Sequence, residues 1–319
     1  MKGLLLAVLV GLVLAACSLF IGVANVTPAG LLSGNLDENA LLVLKTSRIP
    51  RTLALVLAGS SMAIAGLIMQ MMVRNRFVEP STAGTMESAS MGLLVVTLLA
   101  PGMPVMGKML VATVFAIVGT AVFLRILRMA PLHDVLLVPL IGIMLSGVIG
   151  AITTFFAYRF DLLPTLLAWT MGDFSGVLSG RYELLWVGFV MAAVAYLAAD
   201  RFTVAGMGQD FTTNLGLNYR HVIRLGLVIV SMVSAVVVVT VGMIPFLGLI
   251  VPNIISLLFG DNMRRCVPWV AVMGAVFVLG CDIVGRVVRM PYEIPIATVV
   301  GVVGSAVFLY LLLRQPVRN

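Results

Sequence analysis

Charged side chains are scarce in this sequence. Only 10% of its 319 residues are Asp, Glu, Lys or Arg, whereas 61% are hydrophobic, and the mean hydropathy is +1.16. A soluble domain carries roughly 25% charged residues, so this chain lacks the polar groups to cover a water-exposed surface. The composition excludes a soluble globular protein and predicts a polytopic membrane protein surrounded by the lipid bilayer.

Cysteine and histidine are also scarce. Cys17, Cys266 and Cys281 each lie in or beside an apolar run, which argues against a disulfide framework. The stretch LAAC ending at Cys17 imitates a lipoprotein cleavage site, but more membrane sequence follows, so we expect the first helix to be retained. His133 and His221 have no ligand-spaced partners, and no Ser–His–Asp order is convincing. We expect no metal site, no directly bound cofactor and no catalytic residue, as in a protein that is not an enzyme.

A nucleotide-binding motif is missing as well. GMPVMGKM, from Gly102 to Met109, approaches the phosphate-binding pattern G-x-x-x-x-G-K-[ST], but Met109 occupies the position of the Mg²⁺-binding Ser or Thr. If ATP drives transport, the ATPase is therefore a separate chain. A secondary transporter that needs no ATPase is the alternative class, although the apolar segments lack the relay of carboxylates that a proton-coupled pump requires.

Long apolar runs are abundant. A helix needs about 20 residues to cross about 30 Å of hydrocarbon, and on this basis we predict an all-α fold with ten transmembrane helices in one domain, 1–319. The run Leu225–Gly260 is too long for one helix, and the Gly and Pro of VGMIPFLG divide it into two. The run Gly3–Leu36 is one span followed by a turn-like loop, ANVTPAGLLSGN. The predicted spans are 4–23, 50–73, 86–101, 107–126, 135–157, 183–200, 222–242, 245–260, 267–287 and 293–313.

Basic residues orient these spans. Ten crossings place both termini on one side, and a cytoplasmic N-terminus puts twelve Lys and Arg residues inside and eight outside. The positive-inside rule therefore favours cytoplasmic N- and C-termini. The net charge of +7 fits lipid headgroups and not nucleic acid. Between spans, 162–178 is predicted to form a helix at the outer surface and 200–222 a cytoplasmic segment that a soluble partner grips.

One pair of opposite charges falls inside a predicted span. Asp282 and Arg286 are four residues apart in CDIVGRVVRM, so they share a helical face and are expected to form an intramembrane ion pair. The alternative is that Arg286 lies near the outer mouth and is presented to a partner. Small residues recur in AGSSMAIAG (Ala58–Gly66), a pattern that allows helices to pack closely.

Several stretches, taken in order, resemble one family of transport proteins. They are SRIPRTLALVLAGSSMAIAGLIMQ, RNRFVEPSTAGTMESASMG, NLGLN, GMIPFLGLIVPNIISLL, CDIVGRVV and YEIPIATVVGVVGSAVFLYLLLR. On these residues the chain is identified as a member of the FecCD-type permeases of ABC importers, which take up ferric siderophores, haem and cobalamin. The resemblance implies a bacterial cytoplasmic (inner) membrane protein with ten helices like the cobalamin permease. It also implies a second permease chain, either a copy or a paralogue, two cytoplasmic ATPases that use the ATP, and a periplasmic or lipid-anchored binding protein.

The resemblance further implies residues that contact these partners. Arg48, Arg51 and Arg286 match arginines that face carboxylates of the binding protein. GQDFTTNLGLN (Gly208–Asn218) matches the segment that sits in a groove of the ATPase. The residues carried over for this coupling role are Gly208, Gln209, Asp210, Asn214, Leu215, Gly216 and Leu217.

The polar stretch after the second span resembles the family's NPLAEPGLLG region, at the inner end of the translocation path. This resemblance assigns Asn75, Glu79, Pro80 and Gly84 to an inner gate. Arg76, Phe77 and STAG replace the usual residues here, and this variant resembles the subgroup that handles ferric catecholate or mixed siderophores. The sequence thus predicts a ferric siderophore permease that works by ATP-driven alternating access, with cobalamin or haem as alternative cargo.

Overall fold

The computed structural model describes residues 2–22, 38–130 and 136–314, and within these ranges the chain forms helices and no strands. The all-α prediction is confirmed for this part of the chain. The predicted loop ANVTPAGLLSGN, the span limits at 23 and 135, and His133 lie outside the described residues.

The helices are numbered in chain order. A π-helical turn at Leu44–Arg48 interrupts α2, and a 3-10 turn at Tyr182–Leu184 leads into α7. The bounds are α1 Lys2–Phe20, α2 Glu38–Val73, α3 Thr85–Leu99, α4 Val105–Met129, α5 Leu137–Arg159, α6 Leu163–Thr170, α7 Leu185–Leu197, α8 Ala199–Gly206, α9 Gln209–Asn214, α10 Tyr219–Val241, α11 Leu247–Phe259, α12 Met263–Val287 and α13 Ile296–Arg314.

Six helices of the described residues, α1, α2, α4, α5, α10 and α12, are long and apolar enough to cross a membrane. A seventh crossing is available if α7 and α8, which meet at a bend of 66°, form one broken span. The apolar helices α3, α11 and α13 are shorter. Each of the ten predicted segments overlaps one of these helices, but by length and composition the structure supports six or seven crossings. Ten crossings and cytoplasmic termini stay predictions.

The middle of the bundle is α2, which is almost completely buried from Ala54 to Met69. It packs against α12, α11, α7 and α10, and its small residues allow this. A Cβ atom added to Gly59 would lie 2.8 Å from the Gly274 carbonyl oxygen of α12, and one added to Gly66 would lie 2.1 Å from the Gly248 carbonyl oxygen of α11. The close packing predicted for AGSSMAIAG is confirmed, because no larger side chain fits at these two contacts.

The predicted division of the run Leu225–Gly260 coincides with a break in the structure. Helix α10 ends at Val241, Gly242 follows with φ of 83°, and Phe246 adopts a left-handed conformation (φ 62°) immediately before α11. A left-handed residue cannot continue a right-handed helix. The two helices are therefore separate elements with a short extended link between them.

The predicted outer surface helix, 162–178, is too long. Helix α6 ends at Thr170, because the residues that follow make hydrogen bonds to other elements. The Asp173 amide donates to the Val241 carbonyl at the end of α10 (2.8 Å), and the Gly172 carbonyl accepts from the Ala297 amide of α13 (3.1 Å). The cytoplasmic segment predicted at 200–222 contains most of α8 and all of α9, and its last four residues already belong to α10.

Candidate functional site

The first predicted group, Arg48, Arg51 and Arg286, belongs to a buried charge cluster. Arg48 and Arg51 lie in the N-terminal half of α2, and Arg286 lies in the last turn of α12. Arg51 Nη2 lies 2.7 Å from Asp282 Oδ1, and Arg51 Nη1 lies 2.7 Å from Glu293 Oε2. Arg286 Nη2 lies 2.5 Å from Asp282 Oδ2. The structure thus brings Asp282 and Arg286 together, and Asp282 stands between two guanidinium groups. Two positive and two negative side chains balance each other where a single unpaired charge would be costly.

Arg286 of this cluster, together with Arg48, also binds the end of α1. Arg286 Nη1 donates to the carbonyls of Ser18 (2.9 Å) and Ile21 (3.0 Å), and Arg48 Nη1 donates to the Leu19 carbonyl (2.8 Å). The last carbonyls of a helix have no intrahelical donor, and cationic groups stabilise this negative end of the helix dipole. Side chains of α2 and α12 therefore cap α1.

This geometry bears on the docking prediction for Arg48, Arg51 and Arg286. Their exposed fractions are only 6%, 9% and 4%, and their guanidinium groups face carboxylates and carbonyls of the same chain. In this conformation they hold three helices together. Contact with a binding protein stays a prediction.

The second predicted group lies in the connection between α2 and α3, residues 74–84, which we term the inner segment. Glu79 of this segment is buried, and its Oε1 accepts from the Phe246 amide (2.8 Å) and the Ser81 hydroxyl (2.5 Å). Its Oε2 is buried beside Gly248 in the first turn of α11 and has no hydrogen-bond partner within the described residues. A carboxylate at a helix N-terminus satisfies free amides and complements the helix dipole. Glu79 thus fixes the beginning of α11.

The other three predicted gate residues shape the same segment. Asn75 is buried, and its Oδ1 accepts from the Phe77 amide (2.8 Å), which turns the chain after α2. The Pro80 carbonyl accepts from the Thr85 amide (3.1 Å). Gly84 has φ of 78°, a conformation that favours glycine, and α3 begins after it. The structure therefore brings all four predicted gate residues into one connection.

Sequence reasoning missed Gln70, which compensates for a proline in α11. Pro252 has no amide hydrogen, so the Gly248 carbonyl four residues earlier lacks its helical donor. Gln70 Nε2 of α2 lies 3.3 Å from this carbonyl and donates to it. The signal was present in the sequence, since a proline inside a helix always leaves such a carbonyl free. The partner that fills it lies 178 residues away.

The inner segment also contacts α5. A Cβ atom added to Gly142 of α5 would lie 2.1 Å from the Thr82 carbonyl oxygen, and the Ser146 hydroxyl of α5 lies 3.4 Å from the Ser81 carbonyl oxygen. Glu79 holds the other side of the segment to α11. The inner segment therefore links α5 to α11. If either helix moves, the inner segment has to move with it.

The third predicted group forms the turn between α8 and α10. Gly208 is buried with φ of 114°, and the Arg74 guanidinium at the end of α2 lies against it. Thr212 anchors α9, because its hydroxyl donates to the Gly208 carbonyl (2.6 Å). Leu217 is half-buried. The remaining predicted coupling residues are exposed, namely Gln209, Asp210, Asn214, Leu215 and Gly216.

Sequence reasoning also missed Phe211, which lies in this turn. Its side chain is 49% exposed and that of Leu215 is 57% exposed, four residues further on. Residues four apart share a helical face, so this spacing was the signal in the sequence. An exposed apolar pair on a polar surface is typical of a site that another protein covers.

The described residues contain no group of three or more His, Cys, Asp or Glu side chains able to hold a metal ion. The three groups of this site offer hydrogen-bonding and packing contacts, with Glu79 as a cap and Arg51 and Arg286 as structural charges. Their arrangement can hold helices together and transmit movement between them.

Fold and site together define a class, that of helical polytopic membrane proteins. The chain belongs to the FecCD transport family, which matches residues 6–314. It is 47% identical to the petrobactin import system permease protein YclN of Bacillus subtilis, over 95% of this chain and 96% of that one. It is 41% identical to the ferric-anguibactin transport system permease protein FatD of Vibrio anguillarum, over 94% of this chain and 95% of that one.

A solved structure of a metal-chelate type ABC transporter in an inward-facing conformation has the same fold. Its TM-score is 0.81 with 23% sequence identity, covering 98% of this chain and 99% of that chain. The family assigned from the sequence motifs is therefore confirmed, and so is the relationship to siderophore permeases.

Proposed function

We propose that this chain is the membrane-spanning permease subunit of a binding-protein-dependent ABC importer that carries a ferric siderophore. The observation that carries the proposal is the identity of 47%, along nearly the whole chain, with a relative named as a petrobactin import permease. Two further relatives, 39% and 41% identical, are named for petrobactin and ferric anguibactin. Relatives named for vitamin B12 are more distant, at 32% identity or below.

The proposed topology has ten crossings and cytoplasmic termini. In this arrangement the shorter helices α3, α11 and α13 also cross the membrane. The connections next to them then lie at membrane depth, where irregular backbone is tolerated only against protein or water. Residues 78–84 of the inner segment and the 242–246 link meet this condition, because they are buried or half-buried against neighbouring helices. A second permease chain would complete the pathway, and α4 and α5 expose apolar faces that suit lipid or such a partner.

The proposed route of movement begins at α9. An ATPase that grips Phe211 and Leu215 would move the turn at Gly208, which contacts Arg74 at the end of α2. Arg74 begins the inner segment, and this segment is joined to α11 and α5. ATP-driven closure of the ATPases would thus shift these helices and give alternating access. The ATP is bound by the partner subunits.

At the opposite face, we propose that the binding protein docks over the cluster of Arg48, Arg51 and Arg286. Glu293, which pairs with Arg51, is more accessible than these three arginines, with a side chain 35% exposed. A carboxylate of the binding protein can form a bidentate pair with Arg51 if it displaces Glu293. Such a rim contact would steer the encounter more than it adds affinity.

The cargo is tested by uptake of radioactive iron in a deletion strain complemented with this chain and its partner proteins. Ferric petrobactin and ferric anguibactin are compared with a ferric hydroxamate and with labelled cobalamin. We expect uptake of at least one of the first two and none of cobalamin. Uptake of cobalamin alone would refute the proposed cargo while leaving the importer class intact.

Coupling is tested with Phe211→Ser combined with Leu215→Ser. We expect loss of ATPase co-purification, because the exposed apolar pair is removed, with the same loss on deletion of Gly208–Asn218. Val118→Ser, an exposed apolar position on α4, is the matched control and should retain the ATPase. Uphill transport by the purified chain alone, without nucleotide, would instead establish a secondary transporter.

A further inference from the structure

Four arginines line one groove between the end of α4 and the beginning of α10. Arg125 and Arg128 lie in the last two turns of α4, and Arg220 and Arg224 lie in the first two turns of α10. Together they border a cavity of about 410 Å³, and all four are exposed. In the proposed orientation this groove opens at the cytoplasmic face of the membrane.

The floor of the groove is apolar. Ala121 and Leu124 of α4 and Ile223 and Leu227 of α10 complete its lining. On each helix the four lining positions are spaced i, i+3, i+4 and i+7, so each helix presents a single face. The outermost and innermost positions on a helix are seven residues apart, which is about 10 Å at 1.5 Å per residue. Charge thus lies at the mouth of the groove and hydrocarbon-like surface lies deeper.

Two other arginines at this face of the molecule form ion pairs. Arg76 pairs with Asp261 at 2.8 Å and Arg264 pairs with Asp200 at 2.5 Å. Within the described residues, none of the four groove arginines forms an ion pair. Asp134, the acidic residue nearest to α4 in sequence, lies outside the described residues.

Four like charges around one cavity repel each other, and an anion in the cavity removes this repulsion. Guanidinium groups match the geometry of phosphate and bind it through two parallel hydrogen bonds. A free phosphate would satisfy the charges, but it would leave the apolar floor of the groove uncovered. The combination of a cationic mouth and an apolar floor matches a phosphate that carries an acyl chain.

We propose that this groove binds an anionic phospholipid of the cytoplasmic leaflet. Its phosphate lies among Arg125, Arg128, Arg220 and Arg224, and one acyl chain runs along the apolar floor between α4 and α10. Basic pockets between transmembrane helices on the cytoplasmic side are known to hold such headgroups. The proposal depends on the proposed orientation of the helices, and it is independent of the cargo. The lipid would sit beside the coupling turn, since Arg220 also borders the surface around Gly216 and Leu217.

The test is a titration of the full-length permease in detergent micelles with dioctanoyl phosphatidylglycerol, with bound lipids counted by native mass spectrometry. The main variant is Arg125→Gln combined with Arg224→Gln. Each basic residue contributes about 1 kcal/mol toward an anionic lipid. Two neutralised residues should therefore weaken binding about 30-fold, at about 1.4 kcal/mol per tenfold change. The matched control is Arg201→Gln with Arg265→Gln, two exposed arginines of the same face, and it should bind like the wild type.

A second variant tests the apolar floor. Ala121→Trp fills the groove while all four arginines stay, so it should also lose the lipid. Asp134→Ala should bind at least as tightly as the wild type, because it removes a negative charge that would compete with the lipid phosphate for the arginines. An equal loss in the control variant would overturn the proposal, as would equal affinity for phosphatidylcholine. Displacement of the lipid by millimolar inorganic phosphate would show a phosphate site instead, and loss of ATPase co-purification with lipid binding intact would show a protein contact.

Discussion

Replacement of Asp282 by alanine tests the buried charge cluster most directly. The Asp282 carboxylate accepts from Arg51 Nε (3.2 Å) and Nη2 (2.7 Å) and pairs with Arg286 at 2.5 Å. All three side chains are buried. The variant leaves two guanidinium groups in a buried site with one carboxylate, that of Glu293, which pairs with Arg51.

The loss of unfolding free energy depends on the contacts that Arg51 and Arg286 keep when Asp282 is replaced. Breaking a buried ion pair by removing one partner costs about 3–5 kcal/mol. Arg51 keeps Glu293, and Arg286 keeps the carbonyls of Ser18 and Ile21. These remaining contacts place the expected loss near the lower limit, about 3 kcal/mol, which is about a 100-fold change in the unfolding equilibrium.

The measurement is reversible unfolding of the purified permease in mixed micelles, with the free energy of unfolding compared between variants. Glu293→Ala is the control, because its pair is partly exposed and surface pairs contribute about 0–1 kcal/mol. Combining Asp282→Ala with Arg286→Met removes the uncompensated charge and should recover part of the loss. If Asp282→Ala destabilises no more than Glu293→Ala, the cluster does not hold the helices together and the reasoning is wrong.

Two further predictions concern the contacts of α11. Glu79→Ala removes the acceptor of the Phe246 amide and should cost about 1–2 kcal/mol as a lost helix cap. Glu79→Gln keeps an acceptor and should cost less, and equal unfolding free energies for the two variants would contradict the capping role. Gly66→Ala places a methyl group 2.1 Å from the Gly248 carbonyl oxygen and should destabilise by about 1–3 kcal/mol through overpacking. Gly147→Ala on α5, with nothing within 4 Å of the added group, is its control in the same unfolding assay and should be neutral or slightly stabilising.

Much of this fold was predictable because local chemistry determines it. The long apolar runs can only be membrane helices or core, and the pair Asp282–Arg286 follows from helical spacing of four residues within α12. The break between α10 and α11 follows from the glycine and proline of VGMIPFLG. In each case the residues that decide the outcome lie within a few positions of one another.

The rest depends on contacts between distant parts of the chain. Arg51 binds Asp282 across 231 residues and Arg286 binds Ser18 across 268, and no local pattern specifies either pairing. The predicted outer surface helix, 162–178, was too long for the same reason, since residues in its C-terminal half form hydrogen bonds with α10 and α13. The groove arginines appeared in the sequence only as basic residues at span ends, until the fold placed α4 beside α10.

The capping of α1 by Arg48 and Arg286 has a consequence for biogenesis. The Ser18 carbonyl of α1 leaves the ribosome long before Arg286 is synthesised, because the two residues are 268 positions apart, whereas Arg48 follows Leu19 by only 29 positions. Until α12 is in place, the Ser18 and Ile21 carbonyls lack the donor that Arg286 provides. The contacts that hold the end of α1 are therefore complete only after α12 has been inserted.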